Sequence, residues 1–95
     1  MEKIKVLIAD DHRVVREGLA AILKTKDDIN VVGEAQDGVE AVEKTKTLMP
    51  DVILMDVSMP RMGGIEATRQ IKREFPHMGI VALTMYEEQQ YIFDL

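Results

Sequence analysis

Short runs of consecutive apolar residues alternate along this chain with longer stretches in which apolar residues recur every three or four positions. Lys5–Asp10, KVLIAD, is apolar, rich in β-branched residues and ends in acid, the pattern of a strand buried on both faces. Residues 12–26 follow with Val15, Leu19, Ile22 and Leu23 at helical spacing. Ile29–Ala35 reads as a second strand. Residues 37–49 open on the turn signal Asp37–Gly38 and carry Val39, Val42 and Met49 at helical spacing until Pro50–Asp51 breaks the pattern. Val52–Asp56, VILMD, is a third strand. A third helix over 64–75 lines up Ile65, Thr68, Ile71 and Phe75 and stops at Pro76; Gly79–Thr84 is a fourth strand, and YEEQQYIFDL, 86–95, starts a fourth helix. Strands that alternate this strictly with helices of about a dozen residues predict βαβ units, hence a parallel sheet with helices on both faces and right-handed crossovers.

Length and composition narrow the picture. The 95 residues suffice for one domain, spanning 1–95, and with aromatics at 4% the core must be built from Ile, Val, Leu, Met and Ala. There is no Cys, so disulfides and thiolate metal sites are excluded, and a reducing, cytoplasmic location is expected. No apolar stretch is long enough to span a membrane, and Met1-Glu2-Lys3 does not begin a signal peptide. Seventeen acids against twelve bases give a net charge of −5, the wrong bias for a nucleic-acid surface, so this chain alone is not expected to bind DNA.

In an open parallel sheet, ligands collect at the carboxyl ends of the strands. The first strand ends in Asp10–Asp11, the third in Asp56 and the fourth in Thr84. If the first and third strands are neighbours, three carboxylates and a hydroxyl face one crevice. Two unit charges about 4 Å apart cost roughly 4 kcal/mol at an effective dielectric near 20, which a fold tolerates if a divalent cation binds or if one acid is protonated. An all-oxygen set suits Mg2+, and no His or Cys ends a strand to favour Zn2+. Each residue also has a plainer role: Asp11 as a helix cap, Asp56 as a loop acid, Thr84 as a strand-end cap. His12 reads as a solvated first-turn residue and His77 as loop.

The segments IADDH, PDVILMDVSMPRMGG and ALT resemble the receiver domains of bacterial two-component response regulators over the whole chain, and DDHRVVREGL, VVGEAQDGVEA, MGGIEATR and LTMYEE resemble the NarL/LuxR-type subfamily. The resemblance implies a flavodoxin-like (CheY-like) doubly wound sheet in the order 2-1-3-4. It also implies Asp56 as phosphoacceptor from a sensor histidine kinase, Mg2+ held by Asp11, Asp56 and the Ser58 backbone carbonyl with Asp10 acting through water, and Thr84 as phosphoryl contact and switch. Such a domain is not a turnover enzyme, and in this subfamily it controls a C-terminal helix-turn-helix module that regulates transcription. The family's fifth βα unit, with its phosphoryl-contacting Lys, is expected to be missing here, so the edge of strand four should be open and self-association through strand four or helix four is expected. Two rivals remain. One is an inactive, self-associating fragment. The other is a Mg2+-dependent aspartyl-phosphate phosphohydrolase, against which stands Ser58 where such enzymes place a second acid. A nucleotide-binding module would need a glycine-rich loop where the chain has DDHRVVREG. On the first helix, Val14 and Gly18 share a face beside the acid pair where a kinase helix could approach.

Overall fold

The computed structural model describes residues 2–83 and 91–93. Three βα repeats and a fourth strand are laid out as β1 (Ile4–Ala9), α1 (Arg13–Lys24), β2 (Ile29–Ala35), α2 (Gly38–Leu48), β3 (Val52–Asp56), α3 (Gly64–Glu74) and β4 (Gly79–Leu83), followed by a short strand β5 (Tyr91–Phe93). The sheet order is β2-β1-β3-β4-β5; the first four strands are parallel, in the expected order, and β5 runs antiparallel to β4.

The unbroken apolar runs of the strands are explained by the two layers they separate. On β1, Leu7 and Ala9 face one side and join Ile53, Met55 and Ile80 beneath α2 and α3, which contribute Ala41, Ala67 and Ile71. Val6 and Ile8 face the other side and pack with Ala20 of α1, flanked by Leu19, Leu23, Val31 and Leu54. Leu7, Ile8, Ile53 and Met55 are fully buried, as a strand covered on both faces requires.

The helices press small residues against the sheet. Gly38, Ala41 and Thr45 of α2 and Gly64, Ala67, Thr68 and Ile71 of α3 are the buried positions. Three large residues assigned to core stripes by spacing stand outside: Ile22 is 61% exposed, Met49 47% and Ile65 45%. The true faces are rotated toward the small side chains, because helices that sit close to a sheet leave room for little else.

The ends of the helices are set by local chemistry. Asp37 caps α2 by accepting the Glu40 amide at 2.8 Å, while the Glu40 carboxylate accepts the Gln36 amide at 3.1 Å. Met49 takes a left-handed C-cap at φ 47 before Pro50. At the opposite end of the sheet from the strand carboxyl termini, Asp51 stitches three strands together. Its Oδ2 accepts the Lys5 amide at 2.8 Å, its own amide donates to the Lys5 carbonyl at 2.8 Å, and its carbonyl accepts from Gly79 at 3.3 Å.

The expected fourth helix does not extend over its described part: residues 91–93 form β5, with Ile80 opposite Phe93 and Ala82 opposite Tyr91; the rest of 86–95 lies outside the described residues. Tyr-Ile-Phe is a strand-favouring triplet. An antiparallel partner needs only a short reversal, where a parallel one needs a crossover of a dozen or more residues. The edge of β4 is therefore paired along Ile80–Ala82 and not open as expected.

Candidate functional site

Register brings the acids together. Val6 pairs with Val52 and Ala9 with Met55, so the next residue of each strand, Asp10 and Asp56, emerges level at the carboxyl edge. Both are buried, at 4% and 2% exposure, and Asp11 stands at the rim. One ligand atom from each of Asp10, Asp11, His12 and Asp56 lies within 4.8 Å of the others. The three predicted carboxylates thus share one crevice. Thr84 lies outside the described residues, as do Met85 and Tyr86; Leu83, its predecessor, is paired with Asp56, which puts the end of β4 beside the same crevice.

Asp56 is held by one hydrogen bond, from the Ser58 amide to Oδ1 at 3.2 Å. Its Oδ2 is buried with no hydrogen-bond partner, one of two such side-chain atoms among the described residues, the other being Thr68 Oγ1. Burial pushes the Asp56 carboxyl up to about 6, opposed by the Ser58 amide and reinforced by the negative charge of Asp10 and by Asp11. An acid at the end of a buried strand, short of hydrogen-bond donors and beside two further acids, is poorly stabilised as an anion by the chain itself. That is the electrostatic signature of a site that takes a cation or a proton.

His12 was expected in solvent, and its ring is half exposed, yet its Nδ1 lies 3.0 Å from both Asp10 Oδ1 and Asp11 Oδ1. The hydrogen bond to Asp10 and the charge of Asp11 raise its pKa, favouring imidazolium at the rim of the acid pair. The backbone has the cap role elsewhere: His12, not Asp11, is the N-cap of α1, without a side-chain cap, and the His12 amide is taken by Asp10 Oδ1 at 2.8 Å. Arg16 was missed by spacing arguments because it looks like one more polar residue on a helix. It is mostly buried; its Nη1 donates to the Asp10 carbonyl at 2.7 Å and its Nε to Glu34 at 3.2 Å, tying the acid loop to α1 and β2. No periodic signal would have singled it out, although a basic residue one turn into a helix after an acid pair is a fair candidate for such a tie.

The donors that converge here are carboxylate oxygens with an unsatisfied, buried Oδ2 among them. Such a set fits a hard divalent cation that keeps several waters. The chemistry available to it is charge neutralisation at an oxyanion or phosphoryl group.

Comparison with known proteins agrees. Residues 6–95 match the family model for the response regulator receiver domain. The chain is 48% identical over 90 residues to response regulator protein VraR of Staphylococcus saprophyticus, covering 95% of this chain and 43% of that protein. Among solved structures it superposes on the response regulator domain of Thermotoga maritima CheB with a TM-score of 0.86 at 40% identity, over 93% of this chain and 65% of that one. A LuxR-family two-component response regulator from Aurantimonas sp. SI85-9A1 gives a TM-score of 0.85 at 35% identity, over 90% and 61%. The chain spans less than half the length of the curated relatives it matches.

Proposed function

The chain belongs to the response regulator receiver domains of two-component systems, and from that membership we propose that Asp56 is its phosphoacceptor, taking a phosphoryl group from a phosphohistidine on a sensor histidine kinase. The observation that carries this reading is the convergence of Asp10, Asp11 and Asp56 on one crevice, with Asp56 Oδ2 buried and unpartnered.

The chain's own residues divide the work. A carboxylate oxygen of Asp56 attacks phosphorus as the P–N bond breaks; the bonding electron pair leaves with the imidazole nitrogen, and an acyl phosphate forms. The Ser58 amide fixes the rotation of the Asp56 carboxylate. Arg16 and the His12 amide fix the Asp10 segment from behind. Asp11, Asp56 and the Ser58 backbone carbonyl would hold Mg2+ directly, with Asp10 acting through water. When bound, the ion supplies charge neutralisation on the transferring phosphoryl group. Because burial raises the Asp56 carboxyl to about 6, the nucleophile is mostly ionised only above that pH and attacks as its carboxylate. Thr84 is proposed to contact the phosphoryl oxygen. In a longer protein of the NarL/LuxR type the output would be a C-terminal helix-turn-helix module that binds DNA and regulates transcription, and the acidic chain itself would leave nucleic acid alone. A cytoplasmic location accords with this role; among the described residues no helix is long and apolar enough to cross a membrane.

Incubation with acetyl phosphate and Mg2+ is expected to add one phosphate per chain by intact mass, and Asp56→Asn is expected to abolish the addition. Labelling that persists in Asp56→Asn would assign the acceptor elsewhere, and a chain that never labels would favour the inactive alternative.

A further inference from the structure

The loop that follows Asp56 carries a backbone feature that the site itself does not explain. Arg61 has φ 64, one of two left-handed non-glycine residues among those described, a conformation that a residue with a β-carbon disfavours. The Met62 amide donates to the Pro60 carbonyl at 2.7 Å, so Arg61 is the apex of a tight three-residue turn. Its guanidinium reaches across to the start of α2, with Nε 3.1 Å from Asp37 Oδ2 and Nη2 3.3 Å from Asp37 Oδ1.

Exposed ion pairs ordinarily contribute little, because two mobile side chains must be ordered together. Here one partner is already ordered. The Asp37 side chain is 8% exposed and is fixed by the Glu40 amide it accepts as N-cap, so only the arginine has to be placed, and its fork meets both oxygens. The Glu40 amide and the guanidinium together hold the Asp37 carboxyl below its ordinary range. Backbone contacts flank the pair. A β-carbon on Gly38 would lie 2.1 Å from the Met62 carbonyl oxygen, and one on Gly64 would lie 2.1 Å from the Asp56 carbonyl oxygen. The Gly64 amide closes the loop on the Val57 carbonyl at 2.9 Å. The segment from Val57 to Gly64 is thus anchored at its base by Asp56 and at its apex by Asp37.

We propose that the Arg61–Asp37 pair is a positioning latch for this loop: it ties the turn to the start of α2 and thereby sets the Ser58 backbone against the Asp56 carboxylate. The proposal rests on the reading of Asp56 as phosphoacceptor for its effect on rate, but not for its effect on Ser58. Arg61 and Asp37 are positioning residues, since neither touches the reacting atoms. With the latch open, the turn is no longer tied to α2, the Ser58 amide leaves Asp56 Oδ1, and the carboxylate loses its fixed orientation.

Three variants of the full chain separate this from a general loss of stability. Arg61→Gly removes the guanidinium but accepts a left-handed backbone without strain. Asp37→Ser removes the carboxylate but keeps an oxygen to cap α2. Arg61→Lys keeps the charge and loses the fork. Arg61→Gly and Asp37→Ser are each expected to slow labelling by acetyl phosphate ~10-fold, the double variant no more than either single one, with Arg61→Lys between these and wild type. Amide exchange at Ser58 is expected to quicken in both single variants, while the thermal midpoint of Arg61→Gly stays close to wild type. Unchanged Ser58 exchange, or rate losses that multiply in the double variant, would overturn the latch. A wild-type chain that takes no phosphate would instead overturn the phosphoacceptor reading, and Ser58 exchange would still decide the latch.

Discussion

Asp56→Asn is expected to make the protein more stable at neutral pH while it removes the proposed phosphoacceptor. The Asp56 carboxyl is raised from 3.8 to about 6 in the fold, chiefly by burial. Well below pH 3.8 the group is protonated in both folded and unfolded chains and contributes nothing. As pH rises from 3.8, the unfolded chain loses this proton while the folded one keeps it, so stability falls until pH passes about 6 and is then flat. At about 1.4 kcal/mol per pH unit, the folded state above pH 6 is penalised by up to ~3 kcal/mol. That is a large share of the ~5–14 kcal/mol available to a domain of this size. Asn keeps an oxygen for the Ser58 amide and carries no charge to desolvate beside Asp10 and Asp11. The assay is urea unfolding of both proteins at about pH 3 and at about pH 7.5 without divalent cations. The variant should be more stable at the higher pH by up to ~3 kcal/mol, or a thermal midpoint at least ~10 °C higher at full size, and the two proteins should converge at the lower pH. An equal difference at both pH values, or a variant less stable at neutral pH, would refute the claim that Asp56 is held as a poorly stabilised anion.

Three further outcomes are expected from the structure. Mg2+ at ten times its dissociation constant should stabilise wild type by about 1.4 kcal/mol, and Asp11→Ala should abolish that gain in a thermal-shift titration; an unchanged midpoint in wild type would show that the crevice holds no ion. Gly64→Ala should lower the urea-unfolding stability by about 3 kcal/mol, because its β-carbon would enter the Asp56 carbonyl. Gly18→Ala, with nothing within 4 Å, should raise it by roughly 0.5–1 kcal/mol.

The alternation of strands and helices was legible because each strand is buried on both faces and leaves an uninterrupted apolar run. The crevice was legible for a related reason: parallel strands deliver their last residues to one edge, so Asp10, Asp11 and Asp56 could be read as neighbours from position alone. Helix faces were less legible. Spacing arguments follow the large residues Ile22 and Ile65, whereas the interface with the sheet is decided by Ala20, Ala41, Ala67 and Gly64, whose small size carries no hydropathy signal. The strand at 91–93 was hidden because a short apolar run has no periodicity of its own, and its pairing with β4 is a tertiary choice. Arg16, Arg61 and Asp37 went unread as a group because ion pairs between distant segments leave no local pattern.

The stitch at Asp51 has a consequence at the other end of the molecule. By binding the Lys5 backbone through both its side chain and its amide, Asp51 works as an alignment peg between β1 and β3. Strand pairing permits no small errors: a slip of one residue moves a strand ~3.3 Å along its neighbour and turns every side chain to the opposite layer. Such a slip would carry Asp56 past Asp10 and point it out of the crevice altogether. The tolerance of the acidic centre is therefore fixed five residues upstream of Asp56, by an exposed aspartate that never approaches it.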